Sequence, residues 1–227
     1  MCSADALNQP YQMQTGTAVR VREIMFLSCM IITDRGNAMK IETRELTGDM
    51  WPDVERLFGV RGACGGCWCM SWRIEKGEKW ESVKGEPARK RLQKLVQTGD
   101  AHGIIAFIDG EPVGWCTFGP RRSFSRLDRA PSLACDDGAD VWSIPCFFIR
   151  SGHRGRGVAT ALLEHALRAL ITRGAHIVEG YPAKPPASGK PIPAAFAWTG
   201  TRSLFLKAGF EIVGNKQGGK QRARKYV

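Results

Sequence analysis

Two spacings of hydrophobic residues divide the chain into predicted helices and strands. Between residues 158 and 171, apolar side chains recur at the helical period, with Glu164 and Arg168 paired on the outer face. This spacing predicts an amphipathic helix that ends at Arg173-Gly174. Pro87 suits the first turn of a second helix, which closes near Gly99. Further helices are predicted over residues 49–58 and 199–208.

Continuous apolar runs predict the strands. Residues 141–149 are apolar nearly throughout, as in a strand that is buried on both faces. Pro145 within this run cannot donate a backbone hydrogen bond, so it predicts a bulge or a splayed position. Residues 104–108 and 112–118 flank Asp109-Gly110, a hairpin turn signal. Shorter strands are predicted over residues 40–46, 176–181 and 209–213. Together these elements predict one α/β domain with a mixed sheet.

The first 38 residues lack this regular pattern. We therefore predict an N-terminal extension over residues 1–38, outside the main fold, and a single domain over residues 39–227. The apolar run at residues 24–32 starts too far along the chain for a signal peptide. It is also shorter than the roughly 20 residues that a membrane span needs. The alternative is an extra strand or helix that docks on the domain or mediates dimer contacts.

Composition narrows the class of protein. The 227 residues are 43% hydrophobic and 24% charged, with a mean hydropathy of −0.23. These values exclude a polytopic membrane protein, a coiled coil and a wholly disordered chain. A net charge of +11 favours anionic partners. The eight cysteines include Cys116 and Cys146 inside apolar strands, where reduced thiols are expected, so we predict a reducing, bacterial, cytoplasmic compartment.

A glycine-rich loop between the apolar strand and the long helix carries the chemistry. Its sequence, from Arg154 to Ala159, is RGRGVA. Glycines allow a tight turn, and the N–H groups of the first helical turn have no intrahelical partner. The helix dipole adds a favourable potential for negative charge, so the loop predicts a phosphate or pyrophosphate site. It lacks both the Lys-Ser/Thr of a P-loop and the three-glycine spacing of a dinucleotide fold.

In this context, RGRGVA resembles the acyl-CoA-binding motif of the GNAT family of N-acetyltransferases. The family signature is Arg/Gln-x-x-Gly-x-Gly/Ala, and Arg154, Gly157 and Ala159 match its defining positions. The resemblance extends over residues 40–215. It implies a mixed, mostly antiparallel central sheet flanked by helices, with a splayed strand pair at the acyl-CoA site.

The resemblance also implies a cofactor site, with acetyl-CoA as co-substrate and no metal. The strand end at Phe147 to Ile149 would pair its backbone with the pantetheine arm, and a backbone N–H near Phe148 would act as an oxyanion donor. The acetyl group would pass directly to an amine, without a covalent enzyme intermediate. The implied cofactor-binding residues are Phe147, Phe148, Ile149, Arg154, Gly155, Arg156, Gly157, Val158, Ala159 and Thr160.

The chain departs from the family at its proton-transfer residues. Phe205 occupies the position where the family often has a Tyr as general acid, and Trp198 replaces an Asn that is often found upstream. Tyr181 lies at the end of a predicted core strand, and Glu179 points to the same side of it. We predict these two as candidate catalytic acid and base. The alternative for Tyr181 is an aromatic anchor for the proline-rich loop.

A cysteine- and tryptophan-rich segment, residues 65–73, lies where the family builds its acceptor pocket. Cys64, Cys67 and Cys69 have no second cysteine pair to complete four zinc ligands, so no metal site is predicted. The predicted substrate-binding residues are Trp68, Met70 and Trp72 as a pocket wall and Arg73 for a substrate carboxylate. The alternative is an aromatic plug that covers the core.

The prediction from sequence is therefore an acetyl-CoA-dependent N-acetyltransferase that acts on a primary amine of a small molecule. One alternative is the acetylation of a protein or peptide amine. Others are a catalytically silent module with a basic, nucleic-acid-facing surface, and a metal-binding regulatory protein built on the cysteines. Neither membrane nor nucleic acid is the expected partner, and a homodimer stays an open alternative.

Overall fold

The computed structural model describes residues 28–34, 37–184, 192–193, 196–214 and 220–227, so residues 1–27 of the predicted extension lie outside the described residues. The strands are β1 (Ser28–Asp34), β2 (Asn37–Glu45), β3 (His102–Ile108), β4 (Glu111–Pro120), β5 (Val141–Ile149), β6 (Ile177–Gly180), β7 (Glu211–Val213) and β8 (Arg222–Tyr226). The helices are α1 (Trp51–Phe58), α2 (Trp80–Val83), α3 (Glu86–Gln97), α4 (Val158–Thr172) and α5 (Arg202–Lys207). No helix within these ranges is both long and apolar enough to cross a membrane.

The strands form one eight-stranded sheet in the order β1-β2-β3-β4-β5-β6-β8-β7. All neighbours are antiparallel except β5 and β6, which confirms the mixed, mostly antiparallel sheet. β1 pairs with β2 along its whole length, from Ser28 opposite Thr43 to Asp34 opposite Asn37. This pairing is the arrangement that the docked-strand alternative for the N-terminal segment expects. The domain boundary between residues 38 and 39 stays a prediction.

Helices flank both faces of the sheet, and each face has its own core. The apolar face of α4 packs against β2 to β5 in the first core, which also takes in Phe205 of α5. On the opposite face, α1, α3 and the segment around Trp68 pack over Trp115 in the second core. β5 extends past the end of β6, so its last residues on that side have no strand partner in the sheet.

β5 and β6 part at Pro145. Their parallel pairing runs only from Val141 opposite Ile177 to Ile144 opposite Gly180. On the other side of β5, the register to β4 shifts, so that Ile144 and Pro145 together oppose the single residue Phe118. This two-against-one arrangement is a β-bulge. The prediction of a bulge and a splayed strand pair at this proline is confirmed.

Candidate active site

A groove of about 580 Å³ lies where the two strands part. It runs from the free edge of β5 to the N-terminus of α4. Gly157 caps this helix with a φ of 79°, and no side chain caps the exposed N–H groups of its first turn. Since these N–H groups lack intrahelical partners and sit at the positive end of the helix dipole, they can bind a phosphate group.

The groove brings together nine of the ten predicted cofactor-binding residues. Arg156 is the exception, since it does not line the groove. The Arg154 Nε donates to the Ile149 carbonyl at 3.0 Å, which ties the loop to the end of β5. Lys207 of α5 lines the opposite wall, so Arg154 and Lys207 both contribute positive charge. The nine are Phe147, Phe148, Ile149, Arg154, Gly155, Gly157, Val158, Ala159 and Thr160.

The backbone of β5 decides which N–H groups face the groove. The Phe147 N–H donates to the Trp198 carbonyl at 2.6 Å, on the splayed side, while the Arg150 N–H donates to the Val113 carbonyl near β4 at 3.0 Å. Because N–H directions alternate along a strand, the Phe148 N–H points to β4 and the Ile149 N–H points to the groove. The Phe148 N–H is therefore directed away from the groove, and the oxyanion donor near Phe148 stays a prediction.

A smaller cavity of about 170 Å³ adjoins the groove at the free edge of β5. The two spaces share five lining residues: Ala63, Cys64, Phe147, Phe148 and Trp198. Three of the remaining lining residues are aromatic, and the other four contribute three thiols and one hydroxyl. The residues that line only the cavity are Phe58, Cys67, Cys69, Ser71, Trp80, Trp115 and Cys146.

None of the four predicted substrate-binding residues lines this cavity. Trp68 stacks on Trp51, and Met70 is buried in the second core. Trp72 donates its indole N–H to the Pro145 carbonyl at 3.0 Å. Arg73 donates to the Ser123 carbonyl at 3.0 Å and lies over the ring of Phe124. The segment lines the cavity through Cys67, Cys69 and Ser71, whereas Trp68, Met70 and Trp72 lie in the second core, as the aromatic-plug alternative expects.

The residue types of this segment sort with their surroundings. From Cys67 to Trp72, small polar residues alternate with large apolar ones. The small ones, Cys67, Cys69 and Ser71, line the cavity, and the large ones enter the core. The segment is not a strand, because Trp68 and Cys69 have positive φ values of 41° and 59°, so a strand period alone could not have predicted which side chains line the cavity.

The cavity thiols differ in their environments. The Cys69 Sγ accepts a hydrogen bond from the Trp115 Nε1 at 3.2 Å. Burial raises the pKa of Cys69, but hydrogen bonds from Cys146 and Trp115 and the charge of Arg73 outweigh burial and leave this pKa below its ordinary value. Burial, followed by the charge of Cys69, raises the pKa of Cys67 to about 12. Cys146 donates to Cys69, and its own pKa is raised.

Tyr181 and Glu179 lie together but away from both spaces. Each is fully buried. The Tyr181 hydroxyl contacts the Arg121 Nη1 at 3.0 Å and the Ser143 Oγ at 2.6 Å, and burial raises its pKa further above the ordinary value. Glu179 pairs with Arg121, Arg222 and Arg224. This arrangement argues against the predicted acid and base roles, because neither group lines the groove or the cavity. It is a buried ionic network that ties β6 to β8.

Comparison with known proteins assigns the family. The model of the acetyltransferase (GNAT) family matches residues 69–183, which is just over half of the chain. The chain belongs to the GNAT family. None of the curated proteins compared with the sequence matches it.

Solved GNAT structures have the same fold. The GNAT domain of S. lividans PAT is 20% identical, with a TM-score of 0.54 over 88% of this chain and 97% of that domain. A GNAT-family acetyltransferase from Listeria monocytogenes 4b F2365 is 11% identical, with a TM-score of 0.52 over 87% of this chain and all of the other. At these identities the comparison establishes the architecture alone.

The residue at the frequent GNAT tyrosine position is part of the core. Phe205 is fully buried, with ring contacts to Phe147 and Phe210. A Cβ on Gly180 would lie 2.1 Å from the Phe205 ring, so this ring fills the space beside the end of β6. Among the described residues, no group of three or more His, Cys, Asp or Glu side chains could hold a metal ion.

Proposed function

We propose that the protein is an acetyl-CoA-dependent N-acetyltransferase that acylates a primary amine of a small molecule. The observation that carries the proposal is the continuity of the two spaces. A groove with open helical N–H groups at one end leads to an apolar cavity at the other. A GNAT enzyme needs a long site for the acyl donor and a separate site for the acceptor, which meet at the thioester.

Each part of the groove suits one part of the donor. The first turn of α4, with Gly157 at its cap, would bind the pyrophosphate, assisted by the charges of Arg154 and Lys207. The outward N–H of Ile149 would pair with the pantetheine arm as an added strand does. The acetyl group would then lie near Phe147 and Trp198, at the opening of the cavity.

The size and lining of the cavity favour a small, largely apolar acceptor. It encloses about 170 Å³ between aromatic side chains, and its lining contains no Asp, Glu, Lys, Arg or His. A basic peptide would instead need acidic groups around an open cleft. Among the described residues that line the groove, the charged ones are the cations Arg154 and Lys207, with His153 beside them. The peptide alternative therefore has less support than a small amine.

Calorimetric titration with acetyl-CoA tests the donor site. Gly157→Glu should abolish saturable binding, because it adds a carboxylate beside the phosphate-binding N–H groups and strains a residue with a φ of 79°. Gly174→Glu is the matched control. It places the same side chain at a φ of 76° beyond the other end of α4, where a Cβ meets nothing within 4 Å. Equal loss in both variants, or no binding by the unmodified protein, would contradict the proposal.

A further inference from the structure

Acetyl transfer needs a route for protons, and the residues expected to provide it are absent from the site. An amine is protonated at neutral pH and must lose a proton before it can attack, and the thiolate of CoA must then gain one. Among the described residues that line the groove and the cavity, there is no Asp, Glu or Tyr. Glu179 and Tyr181 are held within the arginine network, and Phe205 has no hydroxyl.

Cys69 is the cavity thiol best placed to ionise. The Trp115 indole donates to its Sγ at 3.2 Å, and Cys146 lines the same cavity. Its position is held by an unusual backbone, with a φ of 59° at Cys69 and 41° at Trp68. Positive φ at residues other than glycine is uncommon and costs energy, and such residues cluster at functional sites. The other titratable groups that act on this thiol are Arg73, Cys67, Cys116 and Cys146.

We propose that Cys69 is the catalytic proton carrier, which takes a proton from the acceptor ammonium and returns it to the leaving thiolate of CoA. The inference rests on the proposed function and identifies the group that performs its acid–base chemistry. Cys67 and Cys146 do not fit this role. Burial raises the pKa of Cys67 to about 12, and the Cys146 proton is engaged with Cys69.

The cycle balances without any further reactant. The Cys69 thiolate takes one proton from the ammonium, which leaves a neutral amine. The amine nitrogen forms a bond to the thioester carbonyl carbon, and the bond from that carbon to the CoA sulfur breaks. The Cys69 thiol then gives its proton to the CoA thiolate, so that Cys69 is again ionised. The second proton of the attacking nitrogen is released to solvent, and the products are the acetamide and free CoA.

The same arrangement explains how a cation could enter an apolar cavity. Moving an isolated ammonium out of water is costly unless an opposite charge accompanies it. The Cys69 thiolate provides that charge, and Trp80 and Trp115 in the wall are residues whose rings attract a cation placed over their faces. The substrate class that follows is a small primary amine with an apolar or aromatic body, which enters as the ammonium ion.

The first test measures the thiol itself and needs no turnover. The intact protein is treated with iodoacetamide between pH 6 and 10, and peptide mass spectrometry gives the alkylation rate of each cysteine. We expect Cys69 to reach its full rate at a lower pH than an ordinary thiol, while Cys67 in the same cavity reacts only at much higher pH. A Cys69 profile shifted to high pH like that of Cys67 would overturn the inference.

The second test measures the pH dependence of transfer to 2-phenylethylamine as the acceptor. Cys69→Ala should lower kcat/KM about 100-fold at pH 7, which is within the range for loss of an acid–base group. The rate of this variant should then rise about tenfold per pH unit, because only the free amine still reacts. Cys67→Ala, the matched control, should keep the pH profile of the unmodified enzyme. A merely structural role for Cys69 would lower the rate equally at every pH.

Failure of the inference and failure of the proposed function give different results. If Cys69→Ala keeps the pH profile of the unmodified enzyme, Cys69 is not the proton carrier, although the enzyme remains an acetyltransferase. An acetyl group found on Cys69 after an acid quench would also overturn it, since a covalent carrier is a different mechanism. If acetyl-CoA binds but is not consumed with 2-phenylethylamine, the acceptor class is wrong. If acetyl-CoA does not bind, the proposed function itself fails.

Discussion

The Tyr181 hydroxyl illustrates how a polar group can be structural at the residue scale. It lies between the Arg121 guanidinium and the Ser143 hydroxyl, with no exposed surface. Tyr181→Phe should lower the free energy of unfolding by about 1–3 kcal/mol, because both partners lose a buried hydrogen bond. Acetyl transfer should stay within about threefold of the unmodified rate, since a group outside both spaces contributes no acid–base catalysis.

Urea denaturation and a coupled CoA-release assay measure the two effects. Tyr226→Phe is the control, because Tyr226 is 72% exposed and the loss of its hydroxyl should change stability by less than about 0.5 kcal/mol. A large loss of transfer in Tyr181→Phe, with little change in stability, would restore the catalytic interpretation of Tyr181.

Lys220 predicts a pH dependence of stability. Its ammonium lies 4.6 Å from the centre of the Trp198 ring and 3.2 Å from the Thr199 hydroxyl, and burial lowers its pKa from 10.5 to about 8. Below pH 8 Lys220 is protonated in both the folded and the unfolded chain, and the folded chain carries the full cost of burying its ammonium. Between pH 8 and 10.5 the unfolded chain binds more protons, so the free energy of unfolding rises with pH. Above 10.5 the penalty is absent.

Lys220→Met isolates this contribution. The variant lacks the titrating group. Between pH 8 and 10.5, the free energy of unfolding of the unmodified protein should therefore rise steadily relative to that of the variant. Urea denaturation at half-unit pH intervals measures the difference. Parallel curves for the two proteins would show that Lys220 titrates at its ordinary pKa in the folded state.

At this scale, the sequence predicted the surroundings of a residue only where they are set by its neighbours along the chain. Gly157 and its neighbours form the helix N-terminus that their order indicates. The roles of Glu179 and Tyr181 depend on Arg121, which lies 58 and 60 positions away along the chain. The hydrophobic period of a strand cannot predict these contacts. They form because the loop after β4 brings Arg121 to Glu179 and Tyr181.

At the scale of elements, the junction of β6 and α5 depends on one small residue. Gly180 ends β6, and a Cβ there would lie 2.1 Å from two ring atoms of Phe205. Gly180→Ala should destabilise the protein by about 1–3 kcal/mol, because the ring has no free space into which to move. Gly48→Ala is the control, since a Cβ at Gly48 meets nothing within 4 Å. Equal thermal midpoints for the two variants would contradict this packing.

Helices were predictable where the sequence has both a hydrophobic period and residues that typically begin or end a helix. The helix predicted from Val158 was expected to end at Arg173-Gly174 and is observed as Val158–Thr172, and the helix that begins near Pro87 is observed as Glu86–Gln97. The helix expected over residues 199–208 is shorter, at Arg202–Lys207, because Thr201 caps it through the Leu204 N–H. Strand pairing was less accessible, since the parallel pair of β5 and β6 is joined through α4 and depends on the packing of both cores.

At the scale of the whole molecule, the structure shows where part of the net charge of +11 lies. The groove gathers Arg154, Lys207 and the positive end of α4 on one side of the sheet, where an anionic donor would bind. Elsewhere many arginines are committed to internal pairs, such as Arg224 with Asp137 and Arg89 with Glu55. Such pairs are neutral and leave the surplus unchanged, so the groove accounts for only part of the net charge.

The edge strand β1 provides the last prediction. It covers the outer edge of β2 along seven residue pairs, from Ser28 to Asp34. We compare two truncated proteins. The one that starts at Ser28 retains β1, and the one that starts at Asn37 lacks β1 and exposes unpaired backbone groups along β2. Such edges pair with other chains, so the shorter protein should self-associate as its concentration rises. Light scattering after size exclusion, together with hydrogen exchange of β2, measures both effects. If the two chains remain monomeric with equal protection of β2, the main fold begins after residue 38 and β1 is dispensable.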